Sequence, residues 1–205
     1  MILFWVSLIA ERGLFRIVLA GGNTPRSIYP KLCDADTDWS AWHAYFGDER
    51  CLPASDSGRN SYMARAQWLD RVTIPSPQIH VIRAELGPEA AAARYAAELA
   101  HVDEFHLVLL GLGEDGHNVS LFSGGAWEQA ASLPAVIPVF DAPKLTAQRV
   151  SLSPERLSRA ERVLYLVSGS SKREAVTNWR GGATLPASRI CPPAGVDIFL
   201  EVGSD

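Results

Sequence analysis

Residues 107–124, Leu-Val-Leu-Leu-Gly-Leu-Gly-Glu-Asp-Gly-His-Asn-Val-Ser-Leu-Phe-Ser-Gly, concentrate the side chains best suited to proton chemistry. A wholly apolar run enters a turn in which Gly111, Gly113 and Gly116 surround Asp115 and His117. An imidazole with a carboxylate two residues away is equipped as a general base whose orientation and proton affinity are set locally. The glycines let the backbone approach a ligand closely and expose its amides. A metal site is the rival arrangement for these residue types. Only one His and two carboxylates, Glu114 and Asp115, stand here, with no second His at ligand spacing, so no metal is expected.

Other segments supply groups for an anion. Ala20-Gly21-Gly22-Asn23-Thr24-Pro25 follows an apolar run and opens a helical pattern. Amides at such a helix start, with the positive end of the helix dipole, suit a phosphate, although a plain tight turn has the same composition. The segment is neither a Walker loop nor a G-x-G-x-x-G, so no nucleotide is implied. Lys172, in Ser168-Gly169-Ser170-Ser171-Lys172, also stands at a helix start and is a second anion-binding candidate. Gly47-Asp48-Glu49-Arg50 reads as a shaped loop, from which Arg50 can hold a carboxylate, a hydroxyl or phosphate oxygens. Arg149 begins a strand-like run. His43, His80, His101 and His106 have no such neighbours and are read as structural or surface residues.

These groups need a scaffold that gathers them. Strand-like runs occupy 14–20, 42–46, 78–82, 107–110, 135–139, 149–152, 163–167 and 196–200, and helical patterns lie at 24–33, 61–69, 88–100, 153–157 and 171–179. Thr24 before Pro25 and Ser153 before Pro154 are expected to cap their helices. Runs such as 107–110 show no polar alternation, which fits strands covered on both faces. The expectation is an open three-layer α/β domain with a mostly parallel sheet, spanning 1–205 as a single catalytic domain. Ligands of such sheets bind beyond the carboxyl ends of the strands, where the segments above fall.

Composition excludes several classes. Of 205 residues, 47% are hydrophobic and 20% charged, which fits a folded domain and not a disordered or coiled-coil chain. The net charge is -4 with no basic block, so neither nucleic acid nor an anionic membrane surface is an expected partner. Cys33, Cys51 and Cys191 are too far apart for a zinc knuckle and odd in number, as for isolated thiols. The apolar residues 1–10 are too few to span a bilayer and lack a basic start, so a cytoplasmic location is expected.

Taken together, these segments resemble the family of sugar-phosphate isomerases, amino-sugar-phosphate deaminases and 6-phosphogluconolactonases, with the lactonase branch the better match. Residues 19–29, 46–53 with Asn60, 107–124, 149–157, 165–175 and 185–190 carry the resemblance, in the family's order. It implies a Rossmann-like sandwich and hydrolysis of a phosphorylated sugar lactone without cofactor, in the oxidative pentose phosphate pathway. Residue by residue, it implies that Gly22, Asn23, Thr24, Arg149 and Lys172 grip the phosphate, that Asp48 and Arg50 line the sugar side, and that Asp115 and His117 do the chemistry. The chain departs from the pattern at Asn23, where Ser is common, at Asn118-Val119, where Thr-Ala is common, and at His106, usually Asp.

The resemblance leaves two rivals, a glucosamine-6-phosphate deaminase and a non-catalytic sugar-phosphate binder. Deaminases of this family carry a Glu five residues past the motif His, where this chain has Phe122. Relatives also usually place a strand and a longer helix before the first Gly-Gly loop. Their absence leads to the expectation of an exposed apolar patch on residues 1–13 and of a monomer or weak homo-oligomer.

Overall fold

The computed structural model describes residues 2–201, with side chains from Trp5 onward. Helix α1 (Ile2–Arg12) leads into β1 (Phe15–Leu19) and α2 (Asn23–Ile28). There follow β2 (Trp42–Phe46), β3 (Asp48–Arg50), α3 (Asn60–Gln67), β4 (Ile79–His80) and α4 (Pro88–Leu99). The second half runs β5 (Phe105–Gly111), β6 (Val136–Val139), β7 (Arg149–Leu152), α5 (Pro154–Ser158), β8 (Ala160–Ser168), α6 (Arg173–Arg180) and β9 (Val196–Glu201).

Six strands form one parallel sheet in the order β4-β2-β1-β5-β8-β9. Consecutive residues Phe105–Leu110 of β5 are all buried, so side chains on both faces are covered, as helices flanking a parallel sheet require. The chain steps outward from β1 to β2 and β4, then returns to β5 on the other side of β1. Loops leaving β1 and β5 therefore diverge and open a crevice at the carboxyl ends of adjacent strands, the usual ligand position in such sheets.

The strands at β6 and β7 are correctly expected as strands but do not join that sheet. They pair antiparallel with β3, in the order β3-β7-β6. Strand β3 escapes a hydrophobicity reading because it consists of Asp48, Glu49 and Arg50. Its period-2 alternation sends Asp48 and Arg50 to one side, register partners of Ser151 and Arg149, and Glu49 to the other. Glu49 is fully buried. Its carboxylate accepts the amides of Asn60 (2.7 Å), Ser61 (2.8 Å) and Arg50 (2.9 Å), and the Arg59 guanidinium lies 3.4 Å away. It thereby satisfies the free N–H groups at the start of α3 and binds that helix to β3.

The expected caps divide. The Ser153 hydroxyl accepts the Arg156 amide and caps α5, but Gly22 occupies the N-cap of α2 and makes no side-chain bond. Thr24 is not a cap; its hydroxyl is 2.9 Å from that of Ser168 at the end of β8. On α1, Trp5 and Leu8 are buried, with Trp5 set against Phe15 and Trp42, while Val6 is exposed. The side chains of Ile2, Leu3 and Phe4, on which the expected apolar patch also rests, lie outside the described residues.

Replacing Glu49 removes one of the two carboxylates beside buried Arg59 and leaves the Asn60 and Ser61 amides buried without their acceptor. Glu49→Ala is predicted to lower stability by about 3–5 kcal/mol, the scale of breaking a buried charge pair. Urea unfolding checks this, and a loss below about 1 kcal/mol refutes the anchoring role.

Candidate active site

A cavity of about 470 Å³ lies over the divergence of β1 and β5. Of the residues singled out in the sequence, Gly22, Asn23, Thr24, Asp48, Arg50, His117, Arg149 and Lys172 line it. Asp115 does not reach the wall. It stands behind His117, its Oδ1 in a short hydrogen bond with imidazole Nδ1 and 3.4 Å from the His117 amide nitrogen. With Nδ1 engaged, Nε2 is the nitrogen left for the cavity.

Two close approaches explain two glycines. A Cβ on Gly113 would fall 2.0 Å from His117 Nδ1 and 2.5 Å from Asp115 Oδ1, so any side chain there breaks the imidazole–carboxylate pair. A Cβ on Gly21 would fall 1.9 Å from Asn60 Oδ1. Asn60 in turn donates to Asp48 Oδ1 (2.8 Å) and to the Asp48 carbonyl (3.0 Å), while the Ser120 hydroxyl donates to Asp48 Oδ2 (2.6 Å). The buried Asp48 carboxylate is thus held by neutral donors and points at no bonded cation.

The two arginines are partly spent on scaffolding. Arg50 Nη1 donates to the Gly58 carbonyl at 2.6 Å. Arg149 donates from Nε to the Thr146 carbonyl (2.8 Å) and from Nη2 to the Leu145 (2.8 Å) and Lys144 (3.3 Å) carbonyls. Its Nη1 remains for a ligand. This grip brings Lys144 to the cavity wall from an exposed loop. Sequence reasoning missed Lys144, since nothing local distinguishes it from a solvated lysine. Lys172, also on the lining, has its Nζ 3.8 Å from Glu114. The first intrahelical bond of α2 runs from the Arg26 amide to the Gly22 carbonyl, so the preceding amides are open to the cavity. Among the described residues, no cluster of His, Cys, Asp and Glu is arranged to hold a metal ion, and no helix is long and apolar enough to cross a membrane.

Known proteins share this fold. A family model described as glucosamine-6-phosphate isomerases/6-phosphogluconolactonase matches residues 4–199. The chain belongs to this family. A 6-phosphogluconolactonase of Synechocystis is 39% identical over 178 residues, covering 82% of this chain and 72% of the relative. One from Mycobacterium leprae is 35% identical, covering 95% and 83%. The crystal structure of the Thermotoga maritima 6-phosphogluconolactonase superposes with a TM-score of 0.87 at 29% identity, over 94% of this chain and 88% of that one.

Within the family's crevice, the electrostatics of this chain favour a neutral imidazole. Burial pushes the His117 pKa below its ordinary 6.5; Asp115 and Asp48 raise it and Lys144 lowers it, and the net shift is downward. Partial burial raises the Asp115 pKa, but the hydrogen bond and charge of His117 outweigh it, leaving the carboxyl below its usual range. Asp115 is therefore ionised at neutral pH, and Nδ1 is the protonated nitrogen that donates to it. Phe122 packs on the imidazole with ring centroids 4.5 Å apart and lies beneath the Arg149 guanidinium, 5.5 Å away. Val119, on the wall beside them, has φ 44°, a conformation that β-branched residues rarely adopt.

These shifts fix a sign that NMR can read. His117 is predicted to titrate below 6.5, and Asp115→Asn, which removes the negative neighbour, to move the midpoint lower still. An unchanged or higher midpoint in Asp115→Asn contradicts the pairing.

Proposed function

We propose that the chain hydrolyses 6-phospho-D-glucono-1,5-lactone to 6-phospho-D-gluconate, as the names of its relatives say of those proteins. The reading is supported above all by one observation. A neutral His117, its Nδ1 engaged by Asp115, faces a cavity whose other walls carry Arg50, Lys144, Arg149 and Lys172. One cavity thus carries both a base and the cations that an anionic substrate needs.

In this reading, the phosphate is held by the loop amides at Gly22, Asn23 and Thr24 with Lys172 and the free Nη1 of Arg149. This fixes the lactone carbonyl near His117 and converts a slow bimolecular hydrolysis into an oriented one. His117 Nε2 accepts a proton from water as the water oxygen attacks the carbonyl carbon. Asp115 stabilises the imidazolium that forms. Charge on the carbonyl oxygen is met by Arg50 or loop amides. The tetrahedral intermediate then collapses, the ring C–O bond breaks, and the departing ring oxygen takes the proton from His117. One water is consumed, and a carboxylic acid and a hydroxyl result.

Phe122 argues against the deaminase alternative. It fills, with an apolar ring against the imidazole, the position where a deaminase of this family would carry its Glu.

A dehydrogenase-coupled assay with freshly generated lactone, corrected for spontaneous hydrolysis, tests the activity. His117→Asn is predicted to lower turnover about 10²–10⁴-fold, the scale of losing a general base. A wild-type rate equal to the spontaneous one defeats the reading.

The phosphate assignment has its own test. Lys172→Ala is predicted to weaken 6-phosphogluconate binding about tenfold, as for one charge-assisted hydrogen bond. Calorimetry showing equal affinity in the variant removes Lys172 from the phosphate site.

A further inference from the structure

Tyr165 is fully buried on β8, paired in register with Leu110 of β5, with the Trp179 ring edge-on at 4.9 Å. A phenylalanine would fill that space equally well. The hydroxyl is what needs an explanation, since a buried hydroxyl without partners is unfavourable. Both of its hydrogen bonds go to segments that shape the His117 loop. Asn118, buried and adjacent to His117, donates from Nδ2 to the Tyr165 oxygen at 2.8 Å. The Tyr165 hydroxyl donates to the Ala187 carbonyl at 2.9 Å. Ala187 then donates its amide to the Gly116 carbonyl at 3.2 Å, and the Leu185 side chain packs where a Cβ on Gly116 would collide with it, at 2.9 Å. The loop closes on itself through the Gly113 amide and the His117 carbonyl at 2.7 Å.

We propose that Tyr165 is a positioning residue for His117: its hydroxyl, rooted in the central sheet, ties Asn118 to the turn at 185–188 and so fixes the loop that carries the imidazole. The phenol does not itself line the cavity and reaches it only through Asn118, which does, so it acts through that loop. Burial raises its pKa far above the ordinary value, so it stays protonated and keeps donating to Ala187 across the working pH range. The bond pairs the Asn118 amide, at one of the positions where this chain departs from the family resemblance, with a hydroxyl. The proposal rests on His117 being the base of the lactone hydrolysis.

Tyr165→Phe keeps the ring and removes both bonds. We expect kcat to fall about 10–100-fold, the scale of a misplaced catalytic group, with KM little changed because the phosphate walls are untouched. The His117 titration midpoint, followed by NMR in the same full-length protein, should drop as its pairing with Asp115 loosens. Asn118→Ala cuts the same link from the other side. It should reproduce both effects, and the double variant should be no worse than the singles, as for two groups acting as one unit. If Tyr165→Phe does not fold, Asn118→Ala, which alters a cavity-lining residue, is read by the His117 midpoint, and an unchanged midpoint overturns the proposal. A variant with a lowered melting temperature but wild-type kcat and His117 midpoint overturns the proposal, leaving Tyr165 a packing residue. Wild-type protein without lactonase activity would defeat the functional reading instead, while the midpoint shift would still report whether Tyr165 positions His117.

Discussion

The buried carboxylate of Glu49 is the interaction on which the site's geometry depends. It is a charge with no exposure, balanced by Arg59 and by the free amides at the start of α3. Arg59 is in turn bound by Glu85 at 2.8 Å and by the Ile82 carbonyl at 2.6 Å. A buried ion pair of this kind gains little net stability over apolar packing, but half of one is strongly unfavourable, so it enforces a single arrangement. That arrangement puts Asn60 at the first turn of α3 against Asp48, one residue before Glu49 in β3. Alternation along β3 does the rest: one neighbour of Asp48 faces the core and locks the helix, while Asp48 and Arg50 face the cavity.

The parallel sheet contributes position and the glycines contribute proximity. Divergence of the loops after β1 and β5 is a property of strand order and would open a crevice whatever the loop sequences. What shapes this crevice is that Gly113 allows the His117–Asp115 pair and Gly21 allows Asn60 to close over Asp48. Both glycines remove atoms instead of adding chemistry. Beneath the imidazole, Phe122 supplies the low-polarity floor that, with burial, keeps His117 neutral.

Much of this was legible in the sequence, for physical reasons that also explain what was not. Strands β1, β2, β5 and β8 are apolar runs because both faces are covered, and such runs announce themselves. The loops after them are where function is sought, and the residues they single out, His117, Asp48, Arg50 and Lys172, share one cavity lining, with Asp115 behind His117. Strand β3 is hidden because its three charged residues find separate partners elsewhere, contacts that have no signature within the strand. Asp48 rests on Asn60 and Ser120, Glu49 on Arg59 and the start of α3, and Arg50 on the Gly58 carbonyl. Thr24 was misassigned as a cap because its hydroxyl has a partner, Ser168, 144 residues away. Lys144 was invisible for the same kind of reason: it belongs to the site only because Arg149 holds the carbonyls of its loop.

The contact between Lys172 and Glu114 means that the unliganded crevice already contains an anion of its own. An anion arriving at Lys172 competes with a tethered carboxylate. An exposed pair of this type is worth at most about 1 kcal/mol, roughly a fivefold handicap. The handicap is the same for every anion, but its effect is not. An anion that meets Lys172 alone has little to offset it, whereas in the proposed reading a sugar phosphate also meets Asp48 and Arg50 on the same lining. In that reading the Glu114 carboxylate acts as a threshold, favouring ligands that engage more of the lining than Lys172 in a solution where simple anions are abundant.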